Sequence, residues 1–410
     1  MLNESSAATS ARCADAAALS AALSDTRRCT LSAFDAYERA LGSTGFIVPY
    51  SPQLNPPLWE LGHVGWFQEW WLSRNPQRHR GTAADPDAPR PAPHRAGDDA
   101  LFDSSRVAHT DRWRLPLPTA NALRDGLAAG LQESLALLRD GSDGDDALYF
   151  FRLCLFHEDM HHEASIYMAQ HLGIPLAGWS PRPHGPTAQA DVAACVHALG
   201  APLEGFAFDN ELARHEVSLD GFCLDTAPVT WGAYLRFVEA GGYRRRAYWS
   251  EPGWAWLQSQ GLQAPRYLRT TGSVWRRQTF GRWLDVDAGL AAMNLSCFEA
   301  QAYCAWAARR LSSEAEWECA AEQLGSDFEW GQAWEWTASA FAPYPGFAAH
   351  PYRDYSAPWF HTRQVLRGGS FATHPRIKHA GYRNFFEPGR NDVHAGFRTC
   401  ALREPETQAG

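Results

Sequence analysis

No stretch of the 410-residue sequence approaches the ~18 uninterrupted apolar residues that a membrane-spanning helix needs, which excludes such a span. Basic runs are missing too. The net charge is -9 and Lys378 is the only lysine among 37 basic residues, which argues against nucleic acid and anionic membrane surfaces as partners. Residues Met1 to Arg12 carry no basic-then-apolar signal, so the expected location is cytoplasmic. The nine cysteines are odd in number, scattered and without a C-x-x-C pair. That spacing encodes neither a disulfide framework nor a zinc ribbon or iron-sulfur cluster, and predicts reduced, mostly structural thiols. What remains is a protein acting on small molecules.

Tryptophan, by contrast, is abundant, with 18 residues. Large rigid side chains fill the core of a fold with little regular structure, and aromatic walls suit a cationic ligand. The length predicts two domains or three. Apolar spacing and stop signals predict four long helices, over Ala14–Leu41, Pro57–Ser73, Thr119–Arg139 and Asp145–Leu172, forming an up-down four-helix bundle. Between the second and third lies Asn75–Pro118, too long for an ordinary bundle connection of ~2 to 8 residues and therefore functional or disordered. The segment Trp179–Gln189 reads as an interdomain linker, which divides the chain into units at 1–178 and 190–410. Beyond it, short apolar runs alternate with Gly, Pro and Trp. Only two helices are expected there, Glu299–Ala308 and one starting at the capping box Ser313-Glu314-Ala315-Glu316, so the fold class is α+β.

The strongest chemical signal is Phe156-His157-Glu158-Asp159-Met160-His161-His162-Glu163. Four residues advance a helix by ~400°, so His157 and His161 leave one face a turn apart, the spacing two imidazoles need to share a metal ion. Glu163 lies ~200° further round and reads as a structural carboxylate. The third ligand must come from another helix, and His63, in an otherwise apolar stretch, is the natural candidate. A lone histidine there is more often a hydrogen-bonded core residue; beside the pair it completes a set of three. Three imidazoles on one side of a metal leave positions open for substrate and dioxygen, as in nonheme iron sites, although the same set serves zinc.

Cys297–Glu318 reads CFEAQAYCAWAARRLSSEAEWE, followed by Trp334-Glu335-Trp336-Thr337, Arg367-Gly368-Gly369-Ser370 and Gly396-Phe397-Arg398. This series resembles the formylglycine-generating-enzyme-like domain, which has a C-type-lectin-like fold. Together with a DinB-like bundle carrying H-x-x-x-H-x-E (His157, His161, Glu163), the chain from about residue 30 to 403 resembles the nonheme iron sulfoxide synthases of the ergothioneine and ovothiol type. The resemblance implies iron(II), Fe(II), held by His63, His157 and His161, and a sulfur donor joined by dioxygen to an imidazole carbon of histidine or its betaine. No cysteine pair stands near Arg383–Arg398, which disfavours peptide-cysteine oxidation.

Within the family an Arg-Asn-Trp-Asp-like pattern and arginines of the long loop hold the donor. Here the run is Gly381-Tyr382-Arg383-Asn384-Phe385-Phe386, with an aromatic ring where the acid would meet the donor's ammonium. The loop departs as well, in Leu101-Phe102-Asp103-Ser104-Ser105-Arg106-Val107-Ala108-His109. Altered donor positions beside retained acceptor positions resemble the selenoneine synthase branch, whose donor is a selenosugar and whose acceptor is hercynine, the trimethylated betaine of histidine. Asn384, Phe385, Phe386 and Trp336 become substrate-binding candidates, Phe385 and Trp336 for the trimethylammonium group. Arg106 and Arg112 are donor-loop candidates and Tyr344 the candidate phenol that supplies a proton or electron, unless Phe341 takes that position. Arg390 and Arg398 read as structural. Competing readings are an ergothioneine-type sulfoxide synthase using γ-glutamylcysteine or cysteine, a zinc-dependent DinB-like thiol transferase, a non-catalytic binding module and a formylglycine-type oxidase.

Overall fold

The computed structural model describes residues 4–185 and 187–402. The outer ends of the two predicted units, 1–3 and 403–410, lie outside the described residues. The first half is helical: α1 (Glu4–Arg12), α2 (Ala16–Leu41), α3 (Pro57–Trp71), the single turn α4 (Asp98–Phe102), α5 (Ala120–Arg139) and α6 (Asp145–Leu172). Asp15 caps the Ala-rich α2 by accepting from the Ala18 amide, and Thr119 does the same for α5 at Ala122. Pro57 opens α3 where its missing N–H is harmless. α6 ends at Gly173, whose φ of 68° is the left-handed conformation that closes a helix. The long helices α2, α3, α5 and α6 pack on one another. The buried pair Arg27–Glu158 (2.8 Å) and the hydrogen bond Thr26 Oγ1 to Asp159 (2.7 Å) tie α2 to α6.

The connection between α3 and α5 is ordered and packed against α3. Arg74 and the Trp66 indole both bond Asp99, and Phe102 at the end of α4 is fully buried.

Among the described residues the second half holds thirteen short strands: β1 (Gln189–Val192), β2 (Cys195–Leu199), β3 (His215–Leu219), β4 (Phe222–Asp225), β5 (Leu268–Thr271), β6 (Val274–Thr279), β7 (Arg282–Asp285), β8 (Arg309–Leu311), β9 (Trp334–Ala340), β10 (Gln364–Arg367), β11 (Asn384–Phe386), β12 (Ala395–Gly396) and β13 (Thr399–Ala401). They form sheets of order β1-β4-β13-β8 and β11-β10-β9-β12, a β2-β3 hairpin and a β5-β6-β7 meander. Among the described residues four α-helices are present there rather than the two expected: α7 (Trp231–Glu239), α8 (Glu251–Gln260), α9 (Cys297–Trp306) and α10 (Glu314–Leu324). α7 is short and aromatic, and α8 opens Glu-Pro-Gly, which reads as a turn although Ser250 caps it and Pro252 sits in its first turn. Capping boxes start α9 at Ser296 and Glu299 and α10 at Ser313 and Glu316.

Glu335 of β9 is fully buried and paired with Arg398 through two hydrogen bonds of 2.5 and 2.7 Å, while the Trp317 indole donates to the same carboxylate at 3.0 Å. The Arg398 guanidinium lies 3.6 Å from the centre of the Phe328 ring. Among the described residues no helix is long and apolar enough to cross a membrane.

The two halves meet along α6. Glu163 Oε1 accepts from the Trp334 indole (2.8 Å), Ser370 Oγ (2.7 Å) and Thr373 Oγ1 (2.8 Å), and Asp159 pairs with Arg376 (2.7 Å). Replacing Arg398 with Met strands the Glu335 carboxylate in the core. The expected loss is about 3–5 kcal/mol of unfolding free energy, measured by urea denaturation, and the double variant R398M/E335Q should recover part of it.

Candidate metal centre and substrate cavity

α3 and α6 bring His63, His157 and His161 together. One ring nitrogen from each lies within 4.8 Å of those of the other two, and among the described residues this is the one such cluster of three or more potential ligands. The rings are oriented from behind. His63 Nδ1 bonds the carbonyl of Phe102 at 2.8 Å, and His161 Nδ1 bonds Glu60 Oε1 at 2.6 Å. His157 stacks on Phe67 with ring centres 3.5 Å apart. The Phe102 contact depends on Gly62, where a Cβ would collide with the Phe102 ring.

Neutral imidazoles with Nδ1 protonated aim lone pairs from Nε2 into one point, and the Nε2 atoms of His157 and His161 are 3.1 Å apart. A shared proton or a metal ion between the two nitrogens relieves that contact, and three ring nitrogens gathered within 4.8 Å are a donor set that fits a metal ion. Burial pushes His63 down to about 3, with His161 adding to the effect, and holds His157 far below its ordinary range. Both are therefore neutral and able to ligate. Burial works against the charge on Glu60, but His161 and the Asn55 amide outweigh it and keep this carboxyl below its ordinary range. An ionised Glu60 fixes the tautomer and orientation of the His161 ring.

His157 and His161 open into a cavity of about 240 Å³ whose walls come from both halves. α3 and α6 contribute Glu60, His157, His161 and Tyr167. The second half contributes Trp334, Tyr352, Tyr355, Tyr382, Asn384 and Phe386. Tyr352 lies 6.1 Å from His157, ring centre to ring centre, and the Tyr355 and Tyr382 hydroxyls are 3.4 Å apart beside Met160 Sδ. Burial raises all three phenols above their ordinary range, so each carries its proton at neutral pH.

Of the predicted substrate residues, Asn384 and Phe386 line this cavity. Phe385 faces behind it, stacked on Phe341 at 4.0 Å with its edge towards Tyr355. Trp336 is a correction: it is 1% exposed and donates its indole N–H to Leu295, so it is core, while Trp334 on the same strand reaches the cavity. Tyr344 is another. Its hydroxyl donates to Glu314 and accepts from Arg367 at 2.9 Å, inside a buried ion cluster away from the histidines. Arg106 is exposed and paired with Asp103 at 3.2 Å, and does not line the cavity. Arg112 stands near the centre: it donates to Asn55 Oδ1 at 2.7 Å and covers the Trp59 ring, which stacks on His63. Arg390 pairs with Asp392 and lies over Phe386, and Arg398 is held by Glu335.

Glu60 and the three cavity tyrosines of the second half were missed. Glu60 sits three residues before His63, on the same helix side, and that spacing is its sequence signal. Tyr352 and Tyr355 lie in a segment without helix or strand, which offers no periodicity to read.

Residues 183–333 and 330–402 match the family described as the sulfatase-modifying factor enzyme 1-like domain. Over 402 residues the chain is 31% identical to a hercynine oxygenase of Mycobacterium tuberculosis, covering 85% of this chain and 91% of the relative. It is 30% identical over 405 residues to a hercynine oxygenase of Mycolicibacterium smegmatis, with the same coverages. A formylglycine-generating enzyme of Mus musculus is 28% identical over 155 residues, 34% of this chain and 40% of the relative.

His157→Ala should reduce bound metal from one equivalent to background, measured by elemental analysis, with an unchanged far-ultraviolet dichroism spectrum. Glu60→Gln should retain metal with affinity weakened about 10- to 100-fold. Full metal content in His157→Ala would remove the three-histidine site.

Proposed function

The chain belongs to the sulfatase-modifying factor enzyme 1-like family and, by its relatedness along nearly its whole length, to the hercynine oxygenases; on that premise we propose that it is an iron(II)- and dioxygen-dependent selenoneine synthase. It would join the selenium of a selenosugar to the imidazole carbon of hercynine, using a DinB-like bundle (1–178) for the metal and the second unit (190–410) for the substrates.

His63, His157 and His161 would hold the iron. When bound there, iron(II) supplies the electrons and the open positions for dioxygen chemistry. The residues around it have separate tasks. Glu60 and the Phe102 carbonyl keep the imidazoles aimed inward. Tyr352, Tyr355, Tyr382 and Trp334 give ring faces to the trimethylammonium group, which donates no hydrogen bond and is drawn to aromatic quadrupoles. Asn384 offers an amide to the substrates. Tyr352, protonated and beside His157, is the phenol best situated to give up a proton to the reacting centre, the task first expected of Tyr344.

The observation that carries the donor reading is the state of the cavity's acids. Among the described lining residues the carboxylates are Glu60 and Glu163: both oxygens of Glu60 are bonded, to His161 and Asn55, and Glu163 Oε1 accepts from Trp334, Ser370 and Thr373. Phe386 stands at the wall instead of a further acid. An amino-acid donor would bury an ammonium beside carboxylates already hydrogen-bonded within the protein, at a cost of several kcal/mol. A neutral sugar escapes that penalty, and the phenols and amides suit its hydroxyls. The sulfoxide synthase reading with γ-glutamylcysteine or cysteine draws on the same relatives and is the alternative the assay separates.

Anaerobic loading with iron(II), then air and hercynine with a selenosugar or γ-glutamylcysteine, should yield a selenium-containing betaine by mass spectrometry. A sulfoxide from the thiol alone would return the protein to the sulfur reading, and equal turnover with zinc or without dioxygen would overturn the redox chemistry. Phe386→Asp should cut kcat/KM for the selenosugar about tenfold or more, and an unchanged donor preference would show that this wall does not choose the donor.

A further inference from the structure

Away from the cavity, two thiols lie side by side. Cys195 Sγ and Cys319 Sγ are 3.6 Å apart, the one hydrogen-bond contact between cysteines among the described residues. Cys195 begins β2 and is half-buried; Cys319 lies in the middle of α10 and is buried. Gln323, one turn beyond Cys319, donates Nε2 to both sulfurs, at 3.5 Å to Cys195 and 3.2 Å to Cys319. One amide thus holds the two sulfurs together across 124 residues of chain. Closing from contact to a bond of ~2.05 Å needs a movement of about 1.5 Å, within the reach of side-chain rotation.

We propose that Cys195 and Cys319 form a modification site that a hydroperoxide oxidises to a disulfide, stapling β2 to α10. The half-buried Cys195 meets the oxidant first. Its sulfur attacks a peroxide oxygen, an S–O bond forms as the O–O bond breaks, and with hydrogen peroxide one water leaves a sulfenic acid behind. The Cys319 sulfur then attacks the Cys195 sulfur. The S–S bond forms, the S–O bond breaks, and the departing hydroxide takes the Cys319 proton and leaves as the second water. Two thiols have then lost two electrons and two protons, and one peroxide has become two waters. Burial, reinforced by Cys195 itself, pushes Cys319 up to about 12, so it stays protonated and leaves the first encounter with the oxidant to Cys195.

The staple would sit beneath a loaded element. Glu314 and Glu318 of α10 grip Arg367, and Glu314 also grips Arg383, the residue before Asn384 on the cavity wall. Fixing α10 to the β2-β3 hairpin would stiffen the base of that ion cluster without touching the histidines.

To test this, the reduced full-length chain is treated with hydrogen peroxide, alkylated with N-ethylmaleimide, digested and read by mass. The expected result is a linked peptide pair containing Cys195 and Cys319, formed at lower peroxide than any other cysteine modification. The thermal midpoint should rise on oxidation of the wild type and stay unchanged on oxidation of Cys195→Ser. In Cys319→Ser, dimedone should trap a sulfenic acid on Cys195. Free alkylation of both thiols at peroxide levels that oxidise other cysteines would overturn the proposal, as would linkage of either thiol to a different cysteine.

Discussion

Glu163 lies two residues beyond His161, and its Oε1 gathers hydrogen bonds from Trp334, Ser370 and Thr373. A carboxylate taken out of water is tolerated only when it is hydrogen-bonded, so these three donors hold the second half of the chain at a fixed position over α6. Burial raises the Glu163 carboxyl even with those three donors, a sign of how dry the junction is. The same helix sends Glu158 and Asp159 to Arg27, Thr26 and Arg376. α6 is thus pinned on several sides while one face stays free for His157 and His161.

With α6 fixed, the approach of α3 governs the site. His63 comes from a helix buried on nearly every side, and its ring is sandwiched by a stack that continues through Trp59 to the Arg112 guanidinium. Arg112 in turn bonds Asn55, Asn55 bonds Glu60, and Glu60 bonds His161. This chain of contacts closes a loop from one imidazole to another through the long connection after α3. The connection is therefore part of the framework, which explains how 48 residues with one short α-helix and two 3-10 turns stay ordered.

Regular chemistry was readable in advance and irregular chemistry was not. The spacing of His157 and His161 follows from helix pitch alone, and His63 stood out as a polar residue on an apolar helix. The capping box at Ser313 announced α10. α7 and α8 escaped because Pro, Gly and Trp within short segments mask a helical period. Tyr344 and Trp336 were drawn from motif neighbourhood, but proximity along the sequence says nothing about which loop crosses the cavity. That choice falls to Tyr352 and Tyr355, positioned by a segment without helix or strand, and to Tyr382 just before β11. Their location emerges from tertiary packing, which no local pattern encodes.

The histidines all belong to the first half, and about half of the cavity wall belongs to the second. A site divided in this way separates two kinds of inheritance. Substitutions on the strand-rich side can reshape what the cavity accepts while the imidazole triad and its supporting carbonyl and carboxylate stay unchanged. Relatives sharing this layout are free to diverge in substrate by redrawing one wall, and the constraint on each such change is that Trp334, Ser370 and Thr373 still close over α6.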